Sequence, residues 1–384
     1  MWFQPRPDDI SEAAAHHETM TTTLRRPAPA ASARPAPTVP PMSRRGDMLT
    51  ALAATWLVGG VLADGWAHQH ETLESVITPW HAILYTGFLA VSAWVGWNGW
   101  RHHRSGTPWQ ASFPAGYGLG AVGAVVFWLS GFADLCWHQA FGIEKGDAAL
   151  LSPSHLGLLA GGVLLLTAPV RSAVARPRTE SDRMPLEAVW ALTLATFTAA
   201  FLLHELNPFW QNPISIGHRD ALAAATVPGA SLPVQTGLAA TVGAVIVTTL
   251  VLFGPLIAVS ARWSLTVGRV TLALGIPPIA LQAIRGFDDA GLAVLGVLGA
   301  VAAALVVRLA RVGPGRTWPT RLGLAGGATT FWAVYVGLVA AADHGLGVKA
   351  EIWGGLLTWA GLSVLAVACI ATVSATPCDG RSPA

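Results

Sequence analysis

A succession of apolar stretches limits what this chain can become, because each is about 20 residues long, enough to cross the hydrocarbon core of a bilayer as a helix. On that criterion about ten spans are expected, at 48–67, 79–100, 113–137, 153–174, 185–206, 234–260, 265–285, 290–310, 321–342 and 350–373. Within hydrocarbon every backbone N–H and C=O needs a partner, and a helix satisfies them inside one segment. The expected fold class is therefore all-α, a polytopic membrane bundle built from tandem helical hairpins. Composition agrees: 53% of the 384 residues are hydrophobic and 11% charged, against about 25% charged in a soluble domain.

The net charge of +2 gives no basis for a nucleic-acid partner; the bilayer is the expected one. Cys136, Cys369 and Cys378 are scattered and form no CxxC pair, which excludes a thiolate zinc site and a disulfide framework. Residues 1–47, rich in Pro, Ala, Arg and Thr, are expected to form a disordered cytoplasmic tail. Ser43-Arg44-Arg45 reads as positive-inside anchoring of the first span. Residues 48–175 form a four-helix region, 176–374 a six-helix region of unassigned role, and 375–384 a second short cytoplasmic tail.

Arginines gather in alternate connections, at Arg101 and Arg104, Arg171 to Arg183, Arg262 and Arg269, and Arg308 to Arg321. Arg and Lys in short loops set orientation, so both termini are expected in the cytoplasm of a plasma-membrane protein. The opposite connections then lie outside and hold Asp64, Glu71 and Glu74; Asp134, Glu144 and Asp147; Glu205 and Asp220; Asp288 and Asp289; Asp343 and Glu351. His102 and His103 are expected as solvated charge in a basic inner loop. Trp66, Trp80, Trp137 and Trp210 suit the outer interfacial belt.

Ionisable groups at a membrane edge are costly and signal function. Asp64 and His68 stand four apart on one helical face, and His81 opens the next apolar run after Pro79. This pattern repeats: Ala63-Asp64-x-x-x-His68-Gln69 recurs as Ala133-Asp134-x-x-x-His138-Gln139, and Pro79-Trp80-His81 recurs as Pro153-Ser154-His155. Each copy ends one helix with Asp and His and opens the next with Pro-x-His. A third hairpin, with His204 and His218, has Ala200 in place of the carboxylate and Ile216 in place of the proline. Arg285, Asp288 and Asp289 are the modest candidates for an ionisable relay further along.

Two imidazoles and a carboxylate suit a transition-metal ion and leave coordination positions open. The candidate metal ligands are Asp64, His68 and His81, and Asp134, His138 and His155. Residue types alone admit copper, iron or zinc, and the lack of Cys or Met clusters speaks against a soft Cu(I) relay. Cys136 falls on another helical face and is expected to pack as a small apolar residue. Haem ligation would need axial histidines deep on facing helices.

The string Asp64-x3-His68-x12-His81 with TPWHAILYTG resembles the copper-site hairpin of the C subunit of particulate methane and ammonia monooxygenases. DLCWHQ followed by SPSH resembles the second, adjacent site of that family, with Asp134 standing where the family has an Asn. The likeness covers residues of about 50–175. It implies copper at Asp64, His68 and His81 and at His138 and His155, dioxygen activation at the first site, and further membrane subunits or copies as partners. The alternatives from other classes are a membrane metal transporter or copper-handling protein, and a non-catalytic membrane scaffold whose polar hairpin ends serve packing.

Overall fold

A computed structural model describes residues 39–70, 78–142, 152–178, 182–225 and 232–373. The expected terminal tails up to residue 38 and from 374, the carboxylates Glu71, Glu74, Glu144 and Asp147, and Cys378 lie outside these residues. The described chain is all-α, with no strand beyond the isolated bridges Pro41 to Ala115 and Arg183 to Ser264. Its elements are α1 (Arg44–His70), α2 (Pro79–Arg104), α3 (Gly118–Phe141), α4 (Pro153–Leu166), α5 (Ala168–Ala175), α6 (Leu186–Leu202), α7 (Pro208–Gln211) and α8 (Ile216–Ala225). They continue with α9 (Leu232–Ser260), α10 (Val267–Ile284), α11 (Ala290–Leu309), α12 (Thr317–Ala342) and α13 (Ala350–Val373).

All ten expected spans are helical, and eight of the segments are long and apolar enough to cross a membrane. The two outside that set have physical reasons. The face of α2 is rich in amphipathic side chains, with Trp80, Tyr85, Trp94, Trp97, Asn98 and Trp100 lowering its apolar content. Helix α6 is 17 residues long, because the chain leaves the helix at Leu203 and forms a one-turn helix over His204–Leu206. Helices α4 and α5 run as one span broken at Thr167, two residues before Pro169.

Consecutive helices pack as antiparallel hairpins: α1 on α2, α3 on α4, and then α10 to α13 in series, with α9 closing against α13. Helix α6 touches α1, α4, α9 and α10 and is buried on nearly every side. A helix apolar all round belongs in the centre of a bundle, and this one ties the two Asp/His hairpins to the later helices.

The first two hairpins are copies in their packing as well as their ligands. A Cβ on Gly87 would fall 2.6 Å from the backbone N of Leu57, and one on Gly161 would fall 2.5 Å from the backbone N of Phe127. Gly87 lies six positions after His81 and Gly161 six after His155; Leu57 lies seven before Asp64 and Phe127 seven before Asp134. Close backbone approach through a small residue is how helices associate where lipid supplies no hydrophobic drive.

Polar groups separate into two ends. Where α1 begins, Asp47 is fully buried and pairs with Arg176 while its Oδ1 accepts from the Tyr117 hydroxyl at 2.7 Å. Glu187 accepts from Arg44 at 3.0 Å and lies 3.6 Å from Arg176. Buried carboxylates persist only when paired in this way. At this end Arg262 also donates to the carbonyls of Arg176 and Pro177, and His103 is half-buried against Trp109, with ring centroids 4.2 Å apart. His103 is therefore a packed group with an ordered ring rather than merely solvated charge. At the opposite end lie both Asp/His hairpin tips and the irregular segment 203–215.

That segment is partly buried, with Phe209, Trp210 and Ile214 each under a tenth exposed. Its backbone carbonyls are satisfied from other elements: Gln282 donates to Phe209, Arg285 to Trp210, and Thr248 to Leu206. Irregular backbone at such depth is tolerated where protein surrounds it. Trp210, expected in the interfacial belt, is thus a core residue, and Arg285 supports this segment instead of a relay.

Candidate metal centre

Each candidate centre is assembled from one hairpin. In the first, the C-terminal part of α1 carries Asp64 and His68 on one face, and the first turn of α2 brings His81 opposite them. His81 Nε2 lies 3.4 Å from Asp64 Oδ1, and His68 Nε2 lies 3.8 Å from Asp64 Oδ2. In the second, His138 Nε2 lies 3.2 Å from Asp134 Oδ2, and His155 Nδ1 lies 3.6 Å from Asp134 Oδ1. Within each triad one ligand atom per residue falls within 4.8 Å of the others. The imidazole pairs match, with ring centroids 6.2 Å apart in the first and 6.1 Å in the second, both edge-on.

These separations, 3.2 to 3.8 Å, are ones that a shared ion can span. An N–H···O bond has a typical length of about 2.9 Å, whereas nitrogen and oxygen ligands at about 2.0–2.1 Å from one tetrahedral ion stand roughly 3.3 Å apart. The ring orientation points the same way. His138 Nδ1 is 3.1 Å from the Gly142 carbonyl, which can only accept, and this contact turns Nε2 toward Asp134. A ligating histidine characteristically donates its second ring nitrogen in this manner. Gly142 closes the helix in a left-handed conformation, φ 82°, and its N–H returns to the His138 carbonyl.

The local sequence explains why the second histidine of each triad is fixed. Thr78 and Ser152 are N-caps, each followed by proline at the first helical position, a strong helix start. The Thr78 hydroxyl accepts from the His81 backbone N–H at 3.1 Å and lies 2.8 Å from His81 Nδ1. The Ser152 hydroxyl does the same for His155, at 3.3 and 2.8 Å. The repeated unit is therefore Ser/Thr-Pro-x-His, one residue longer than Pro-x-His. The proline-preceding hydroxyl was the available signal, since cap residues are readable from sequence.

The copies differ where Trp80 stands opposite Ser154. Ser154 donates to Asp134 Oδ1 at 2.8 Å, while Asp64 Oδ1 is buried without a hydrogen-bond partner among the described residues. An unpartnered carboxylate oxygen is expensive to bury, and a cation beside His81 Nε2 would satisfy it. The residues present thus fit a divalent transition-metal ion on their own chemistry, and the first triad fits it more closely than the second.

The two triads also sense each other. Asp64 interacts electrostatically with Asp134 and His155, His68 with His138 and His155, and His81 with Asp134 and His138. Tyr85, one turn after His81, stacks on its ring at 5.6 Å and lies within the field of both carboxylates. Its i+4 spacing from His81 placed it on that face; nothing in its residue type did.

The remaining candidates are placed elsewhere. His70 ends α1, stacked on Trp66, and Cys136 is exposed rather than packed. Asp343 accepts from the Ile216 N–H at the start of α8, and Asp288 is exposed. His218 lies in α8 and joins no group of three or more metal-type ligands; the two triads are the only such groups among the described residues. The chain is a helical protein of multi-pass membrane character with two Asp/His/His groups able to hold a metal. Comparison with protein-family models, curated proteins and solved structures finds no match for it.

Proposed function

We propose that this is a copper-binding integral membrane protein, the metal subunit of a membrane monooxygenase, with the Asp64 triad as its reactive centre and the Asp134 triad as a second copper site. The observation that carries the metal reading is the buried Asp64 Oδ1, which lacks a hydrogen bond among the described residues and faces His81 Nε2 at 3.4 Å. Copper, rather than zinc or iron, is favoured by the likeness of the first hairpin to the C subunit of particulate monooxygenases. Copper bound there supplies one-electron chemistry toward dioxygen.

The chain's own residues bind, orient and shield. Asp64 and His81, each 17% exposed, form the protected side, and His68, 37% exposed, is the open side toward an incoming small molecule. Thr78 fixes the His81 ring. Apolar side chains of α2 and α3, including Ile83, Leu89, Phe132 and Leu135, face outward and offer an apolar surface beside the hairpins to a small apolar or ammonia-like substrate arriving from the bilayer. The same outward faces are where another membrane subunit or a second copy would pack.

Metal analysis with X-ray absorption on the purified, copper-loaded protein tests this. Two tightly held coppers per chain with nitrogen and oxygen ligation are expected, one of them lost in Asp64→Ala. Protein without stoichiometric copper after loading overturns the proposal.

A further inference from the structure

The irregular segment after α6 carries a His/Glu pair that neither triad uses. His204 and Glu205 sit in the one-turn helix His204–Leu206. His204 Nδ1 lies 2.8 Å from the Phe201 carbonyl, which orients the ring so that Nε2 faces Glu205 Oε1 at 3.3 Å. The separation is longer than the typical N–H···O bond of about 2.9 Å and equals the edge of roughly 3.3 Å that two ligands make around a tetrahedral transition-metal ion.

The pair is also held in place. Gln211 Nε2 donates to the other oxygen, Glu205 Oε2, at 2.5 Å, the kind of outer contact that orients a ligating carboxylate. Phe201 stacks on the His204 ring at 5.7 Å and Trp210 meets it edge-on at 4.6 Å. Both side chains keep 17% exposure, so an aqueous ion can reach them.

We propose that His204 and Glu205 form a third, exchangeable site for a divalent first-row transition-metal ion, with water completing its shell. Two protein ligands against three make it weaker than the triads. Phe201 also lies against Gly65, where a Cβ would fall 2.8 Å from its ring, so the site stands one aromatic ring away from the helix that carries Asp64. The missing carboxylate at Ala200 hides the pair from a comparison with the other hairpins; Glu205 supplies one from the next position, which the tight turn makes possible. The site stands independently of the copper reading of the triads.

Equilibrium dialysis with Zn²⁺ on the full chain in detergent tests it, using wild type and a His68→Ala/His138→Ala double variant. Wild type is expected to take a third equivalent about tenfold weaker than the others. The double variant, which keeps one Asp/His pair in each triad, holds only weak equivalents; His204→Ala removes one weak equivalent from either background, and Glu205→Gln weakens that one by about tenfold or more. A double variant that binds no zinc, or weak binding that His204→Ala leaves unchanged, overturns the proposal. Should the double variant not fold, the comparison of wild type with His204→Ala decides alone, and unchanged stoichiometry overturns it. Wild type that binds only the His204-dependent equivalent would instead sink the triads as metal centres and leave this site standing.

Discussion

Asp64 Oδ1 is a buried carboxylate oxygen without a hydrogen-bond partner among the described residues, and a bound ion would complete its surroundings. Anything that binds only the folded state stabilises it, by about 2.7 kcal/mol at a hundredfold excess over Kd. Stripping metal with a chelator is therefore expected to lower the Tm of wild type, while in Asp64→Asn the shift shrinks to what the second triad contributes. Acid should act in the same direction, since ligating imidazoles must be neutral and metal uptake releases protons. The hydroxyl caps give a finer test. Thr78→Val removes a helix cap worth about 1 kcal/mol and should weaken zinc binding at the first triad about tenfold, whereas Thr78→Ser retains both; competition titration reads the difference. The six candidate ligands were legible in the sequence because Asp-x-x-x-His fixes a helical face and because the pattern occurs twice. The role of Tyr85, and the difference that Ser154 makes at Asp134, required the fold, since each depends on which side chain a neighbouring turn brings close.

Helices α1 with α2 and α3 with α4 approach at ligand-sharing distance through glycines, Gly60 and Gly87 in the first hairpin and Gly123 and Gly161 in the second. Gly87→Ala or Gly161→Ala puts a Cβ against backbone, which cannot yield as a flexible side chain does. Overpacking of this kind costs about 1–3 kcal/mol, and it should also splay the hairpin and abolish metal binding at its own triad while sparing the other. Metal stoichiometry of the two single variants checks this. Positions of the spans were legible from hydropathy, since each expected window falls on a helix. The end of α6 was not, because an averaged window over 185–206 hides the three-residue turn at His204–Leu206. The matched glycine contacts were also hidden, as their partners are Leu57 in one copy and Phe127 in the other, and backbone proximity carries no residue signature.

Across the whole molecule, arginines mark one end and the Asp/His tips the other. Positive charge stays in the cytoplasm, so an impermeant thiol reagent should label Asp220→Cys in intact cells and Ser105→Cys only after permeabilisation, in a background without native cysteines; both positions are exposed. At the arginine end, Arg176→Ala would leave Asp47 and Glu187 with a broken buried network. Removing one partner of such a pair costs about 3–5 kcal/mol, enough to cut the yield of folded protein sharply even though no triad residue is touched. The hairpin origin of each triad carries a consequence for biosynthesis. Every ligand from Asp64 to His81 belongs to one pair of neighbouring helices, and so does every ligand from Asp134 to His155. The first centre is therefore complete in the nascent chain once α2 has entered the bilayer, and the second once α4 has followed, while the ribosome still holds the helices that will later enclose them.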